Sequence, residues 1–325
     1  MKIALDVMGF ENKTSEAIVA ARKFQKKVPG AKIILVGSEQ AIKPCLSSKD
    51  NFEFVFTNEV IDMNDTPITA LRKKNTSMSV AINLVKDKKA DAVVSAGSTS
   101  CFVPLVQTIL GSIDQIKKFG FMPFIPTTNK VGFNMIDVGA NINVSGLDLY
   151  HYALMANEYV RLVRKISNPK IGVLNIGTEH HKGFDYHREA HELLSKNKQL
   201  NYVGFVEPKG LLDGVVDVCV CDGFSGNICL KALEGSLKSV SHILKNGYKK
   251  PWNWLGAAFS LPIITTLTKT FDYRNNAGAI VLGADGIAIK THGSADAKQF
   301  YAALTMAHDC FNNHLVHNIK NIKYE

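Results

Sequence analysis

The chain has 325 residues, of which 46% are hydrophobic and 21% charged, and carries a formal net charge of +9 from 38 Lys and Arg against 29 Asp and Glu. That apolar share excludes a disordered or low-complexity polymer, and the length holds one large or two ordinary domains. The basic balance favours anionic partners, such as an acidic protein, a phosphate or an anionic lipid surface.

The first apolar run covers residues 3–7, with no basic flank or small-residue cleavage site before it. No secretory leader is expected, which places the protein in the cytoplasm. A helical period follows over 14–28, then strands over 32–36 and 53–56 and a helix over 77–88. Next come a strand over 92–95, a helix over 102–110, a strand over 132–137 and a helix over 146–165. A strand over 170–175 precedes a helix over 184–196, and a strand over 215–221 precedes a helix over 225–246. Strands over 279–282 and 287–290 and a helix over 295–317 complete the pattern. This alternation predicts a three-layer α/β/α sandwich with a largely parallel sheet, a single domain over 1–325.

One segment, 242–272, departs from the alternation. Residues 251–268 hold no charge, but Asn253 and Pro262 argue against a membrane span. Trp252 and Trp254 stand beside Lys249 and Lys250, as in segments that lie in a lipid interface. Trp252, Trp254, Leu255, Phe259 and Leu261 are therefore expected to protrude and meet a membrane surface, a dimer partner or both.

The six cysteines are scattered, without a CxxC pair. They read as reduced core thiols, Cys219 and Cys221 included. His187 and His191 sit four apart in His-Arg-Glu-Ala-His, which is not H-E-x-x-H. A solvated helix face is expected there, and no metal.

Five strands run into small, Gly-containing loops. They are Ser95-Ala96-Gly97-Ser98-Thr99, Asp137-Val138-Gly139-Ala140-Asn141, Asn175-Ile176-Gly177-Thr178, Asp222-Gly223-Phe224-Ser225-Gly226-Asn227 and Thr291-His292-Gly293-Ser294. Ligands of open α/β sheets bind beyond the carboxyl ends of strands, and glycine lets backbone amides approach an anion. Five loops on one sheet edge predict an oxyanion pocket. None is a GxGxxG or GxxxxGK[ST] loop, which disfavours nicotinamide and nucleotide enzymes. No interleaved aromatic and basic stripe points to nucleic acid.

Taken together, these loops resemble the bacterial acyl carrier protein:phosphate acyltransferase family, from Ile3 to Asp296. The resemblance also rests on Lys182-Gly183, Glu234-Gly235, Leu282-Gly283 and Gly286. It implies an isocitrate-dehydrogenase/phosphotransacetylase-like fold with a helical hairpin, and a homodimer loosely attached to the inner membrane face. It implies transfer of a long acyl chain from acyl carrier protein to inorganic phosphate, feeding phospholipid synthesis, without a cofactor. A coenzyme A-dependent short-chain phosphotransacylase and a non-catalytic scaffold for carrier protein are the alternatives. The chain departs from the family at Phe10 and Glu11, where Gly-Asp is usual, and at Met122-Pro123-Phe124, where Arg-Pro-Ala is usual. Ser98, Ser100 and Phe205 also differ. Losing the arginine removes a bidentate phosphate clamp.

Phosphate is itself a nucleophile, so the site need only position it and stabilise the tetrahedral oxyanion. Lys182 is the expected charged contact. His292 is either an acid for the leaving thiolate or a turn histidine capping the next helix. Asp222, in the best-matched loop, is expected to orient a cation or a backbone amide. Gly97, Ser98, Thr99, Gly139, Asn141, Gly177, Thr178, Gly226 and Asn227 are the expected phosphate or substrate contacts, with capping the competing role for Asn141 and Asn227. Cys101 follows the Gly97 loop beside Phe102 and Val103, and burial makes an acyl-cysteine route unfavourable.

Overall fold

The computed structural model describes residues 1–62, 64–248, 254–272 and 278–324. The first half carries β1 (Lys2–Asp6), α1 (Thr14–Lys27), β2 (Lys32–Gly37), α2 (Glu39–Ile42), β3 (Glu53–Phe56), α3 (Pro67–Arg72), α4 (Ser77–Lys86), β4 (Ala92–Ser95) and α5 (Thr99–Leu110). Next come β5 (Gly120–Ile125), β6 (Phe133–Ile136), α6 (Gly146–Leu162), β7 (Lys170–Leu174), α7 (Asp185–Lys196), β8 (Asn201–Val206) and β9 (Val218–Val220). The chain continues through α8 (Gly223–Tyr248), α9 (Trp254–Thr270), β10 (Ala279–Leu282), β11 (Ile287–Lys290), α10 (Ala297–Asn312) and α11 (Leu315–Lys320).

The strands form one 11-stranded sheet in the order β3-β2-β1-β4-β11-β10-β5-β6-β9-β7-β8. β1 to β2 and β3 to β4 cross in opposite directions, so right-handed connections put α1 and α4 on opposite faces. α1 packs on α10 and α4 on α5, giving the three layers. The strands β1, β4, β6, β9 and β10 are buried along their whole length or nearly so, which is why they read as continuous apolar runs.

Direction changes at the centre. β11 pairs antiparallel with β10, β10 with β5, and β5 with β6. Three reversals leave β6, β9 and β7 running opposite to β1, β4 and β11. β5 and β8 escape the sequence pattern: Pro123 interrupts one, and Gly204, at φ +95°, the other. The helix expected over 295–317 is two helices, because His314 turns left-handed at φ +51°.

α8 is anchored by its first turns, where Gly223, Gly226 and Cys229 are buried. From Lys231 onward none of its described side chains is buried, so it leaves the body and pairs with α9 as a hairpin. Trp252 lies outside the described residues and Trp254 opens α9, which also holds Leu255. Phe259 and Leu261 are exposed on it.

Candidate active site

β6 delivers Asp137 to the base of the first loop. Its buried carboxylate accepts the amides of Phe121, Gly139, Ala140 and Asn141 at 2.7–3.1 Å. Burial pushes this carboxyl above its usual range, and the amides oppose that shift. The Asn141 side chain donates to Asp137, to the Tyr152 hydroxyl and to the Phe119 carbonyl. The amides expected to cradle phosphate in this loop are therefore already engaged by Asp137. Gly139 sits at φ +131°, a conformation that disfavours side chains.

β9 delivers the second loop. Gly223 donates to the Asn141 carbonyl at 2.8 Å, which braces the two loops together. Asp222 Oδ1 caps α8 by accepting Phe224 and Ser225 amides at 3.0 and 2.8 Å. Its Oδ2 accepts the Tyr186 hydroxyl at 3.2 Å. A Cβ on Gly226 would fall 2.0 Å from the Asp137 carbonyl, so only glycine permits this approach. Asn227 follows in the first turn, its side-chain amide facing Gly139 and making no hydrogen bond among the described residues.

β7 delivers the third loop. Asn175 clasps it, accepting the Ile176 amide at 2.9 Å and donating to the Lys182 carbonyl at 3.0 Å. Lys182 lies along Gly177, where a Cβ would meet its Cδ at 2.5 Å, and its ammonium holds Glu179 at 2.8 Å. The Gly177 and Thr178 amides have no acceptor among the described residues. His187 is buried and accepts the Phe184 amide at 3.1 Å, capping α7. This corrects the solvated face expected there. His191 pairs with the Tyr202 hydroxyl at 2.9 Å.

The other two loops lie at the opposite edge. Gly97, Ser98 and Thr99 follow β4, and His292 follows β11, whose carboxyl ends point away from those of β6, β9 and β7. The single edge expected for all five loops is thus incorrect, because the three antiparallel pairings reverse half of the sheet. Gly97 donates to Ser95 Oγ at 3.1 Å, and Ser98 starts α5 without a side-chain cap. His292 is exposed and its Nδ1 pairs with Ser294 Oγ at 2.8 Å. Cys101 is buried, its thiol donating to the Asp65 carbonyl at 3.2 Å.

The departures have structural accounts. Phe10 packs edge-on against Phe300 at 5.1 Å, and the Glu11 amide ties to the Gly293 carbonyl. Met122 is fully buried in β5. A cavity of about 350 Å³ beside Phe10 is lined by Met8, Gly9, Asn12, Thr14 and Asp62, away from Lys182.

Beneath the Gly97 loop lies a pair that sequence reading missed. Buried Asp6 accepts the Ser95 hydroxyl at 2.7 Å, and burial raises its carboxyl to about 6. Lys290, across the β4–β11 ladder, is lowered by burial to about 7, with Asp6 opposing the shift. The folded chain releases the Lys290 proton near pH 7 while the unfolded chain keeps it to about 10.5, so this group makes stability rise between those values. Asp6 acts in reverse, lowering stability as pH rises from 3.8 to about 6. Lys290→Met is expected to abolish the alkaline rise. Urea denaturation at pH 7 and pH 10 reads it, and an unchanged rise excludes the assignment.

Comparison with known proteins gives concordant results. A family profile described as "Fatty acid synthesis protein" matches residues 1–318. A phosphate acyltransferase of Malacoplasma penetrans is 51% identical over 321 residues, covering 98% of this chain and 97% of that protein. One of Mycoplasma genitalium is 46% identical over 319 residues, with 98% and 97% covered. A phosphotransacetylase structure from Streptococcus pyogenes superposes with a TM-score of 0.61 at 20% identity, covering 96% and 94% of the two chains. A branched-chain phosphotransacylase from Enterococcus faecalis gives 0.59 at 13% identity, with 98% and 99% covered. At such identities these two likenesses bear on the fold.

Proposed function

Because the chain belongs to the fatty acid synthesis protein family, with phosphate acyltransferases as relatives at 40–51% identity, we propose that it moves a long acyl chain from acyl carrier protein to inorganic phosphate. The observation that carries this reading is that Asn227 and Lys182 reach one edge from the adjacent strands β9 and β7, where the Gly177 and Thr178 amides have no acceptor among the described residues. Asn141, from neighbouring β6, braces this edge through the Gly223 amide, and the Tyr186–Asp222 hydrogen bond ties β7 to β9.

In this proposal Lys182, the Asn227 amide and the Gly177 and Thr178 amides hold phosphate. A phosphate oxygen attacks the thioester carbonyl, the tetrahedral oxyanion collapses, and the C–S bond breaks. The departing thiolate takes a proton from solvent. The Asp137 and Asp222 carboxylates fix the loops and do not touch the reacting atoms. His292, at the far edge and paired with Ser294, is left out of the reaction. Gly97, Ser98 and Thr99 share the edge of His292 and are likewise left out of the phosphate site.

We assign the exposed hairpin of α8 and α9 to contact with an anionic membrane surface and with a second copy of the chain, at the cytoplasmic face. Val240, Ile243, Phe259 and Leu261 are its exposed apolar groups. No described helix is long and apolar enough to cross a membrane. The decisive assay follows acyl phosphate and free thiol with palmitoyl-acyl carrier protein and with acetyl-coenzyme A. Preference for the carrier protein, weakened by salt as two charged surfaces are screened, is the expected result. Preference for the acetyl donor would favour the short-chain alternative.

A further inference from the structure

A second cavity, of about 320 Å³, opens at the carboxyl end of β5, on the sheet edge away from Lys182. Phe124, Pro126 and Lys130 line it from β5 and the turn that follows. Thr266, Lys269, Thr270 and Asp272 line it from the last turns of α9 and just beyond. The floor is apolar and fixed: the Arg164 guanidinium lies 5.0 Å over the Phe124 ring while donating to the Val131 and Gly132 carbonyls. Asp272 is engaged by Lys298 at 2.8 Å. Lys130 and Lys269 have no carboxylate partner among the described residues. A cavity lined by two lysines and by apolar Phe124 and Pro126, with its one carboxylate, Asp272, held by Lys298, favours an anion with a hydrocarbon neighbour.

The helix extends this chemistry. Phe259, Ile263, Thr266 and Thr270 are spaced by four, three and four, which aligns them in one stripe along α9. Phe259 is 85% and Ile263 74% exposed in the single chain, so the stripe leads from the cavity to the hairpin surface assigned above to lipid. The cavity has the volume for a head group and a few methylenes, and a longer chain has to leave along that stripe.

We propose that this cavity binds the head of a single-chain phosphate monoester, whose alkyl or acyl tail lies on Ile263 and Phe259. Identifying the natural ligand as the acyl phosphate product rests on the proposed reaction; the site itself does not. Such a site keeps a reactive amphiphile on the protein after it leaves the Lys182 loop.

Calorimetric titration of the full chain with monododecyl phosphate, kept below its micelle concentration, tests this against inorganic phosphate. The parent chain should prefer dodecyl phosphate. Lys130→Ala with Lys269→Ala should weaken it at least about tenfold, as expected for lost charge-assisted contacts, with acyl phosphate formation retained. Ile263→Ser should weaken dodecyl phosphate and spare inorganic phosphate. Parent-like affinity in the double variant overturns the proposal, as does a loss produced by Lys182→Ala instead. A defect seen only with phosphatidate vesicles, and not with dodecyl phosphate, overturns it in favour of a lipid surface. Failure of the proposed reaction reads out separately, as absence of acyl phosphate from the parent enzyme.

Discussion

Lys182→Ala is expected to lower kcat/KM for acyl phosphate formation by about 100- to 1,000-fold, the range for loss of one preorganised oxyanion donor. The fold should be untouched. Lys182 is part-exposed, and its ion pair with Glu179 lies at the surface. Surface pairs of this kind add little to stability, so the melting temperature should stay close to that of the parent. The ammonium is placed by its surroundings: Asn175 fixes the Lys182 backbone and Gly177 makes room for its methylenes. Lys182→Arg is therefore expected to recover only part of the activity, because the larger planar group does not fit against Gly177. Steady-state kinetics at saturating carrier protein with phosphate varied separates the two roles. A rise in KM for phosphate alone indicates ground-state binding, and a fall in kcat indicates the transition state. Full turnover by a folded Lys182→Ala protein removes this residue from the mechanism.

Asp137→Ala should be the most destabilising single change in the site. The substitution strips the acceptor from four backbone amides, those of Phe121, Gly139, Ala140 and Asn141. A buried amide left without an acceptor costs about 1–3 kcal/mol, and partial relaxation of the loop brings the total to about 3–5 kcal/mol. Activity should fall with it, since Gly139 faces Asn227 and Asn141 braces Gly223. Asp137→Asn keeps one acceptor oxygen and should lose less. Urea unfolding of the three proteins checks the order. A loss below about 1 kcal/mol in Asp137→Ala would mean that the loop holds its shape without the carboxylate.

Much of this could be read from the chain before folding. Apolar runs such as those of β1, β4 and β6 are long enough to specify buried strands. Local signals start the helices, such as the Ser145–Asp148 capping box of α6 and Asp296 before α10. The glycines that follow the strands mark close approaches, as Gly226 against the Asp137 carbonyl shows. Lys182 is singled out only by the family resemblance, because a lysine opening a helix carries no local signal of its own. Asp137 was placed at a strand end but not as the acceptor for its own loop, since nothing local distinguishes it from Asp222.

The sequence by itself therefore determined the elements, their α/β class and the loops that carry polar groups. Only the tertiary structure decided which of those loops meet. Strand alternation is the same whether a neighbour runs parallel or antiparallel, so the reversals at β10, β5 and β6 leave no trace in local pattern. Those reversals separate His292 and Gly97 from Lys182. The parallel pairing of β1, β4 and β11 places Asp6 and Lys290, distant along the chain, on the two sides of Ser95 in one buried row, because strand pairing in this sheet is fixed by long-range contacts rather than by neighbours in sequence.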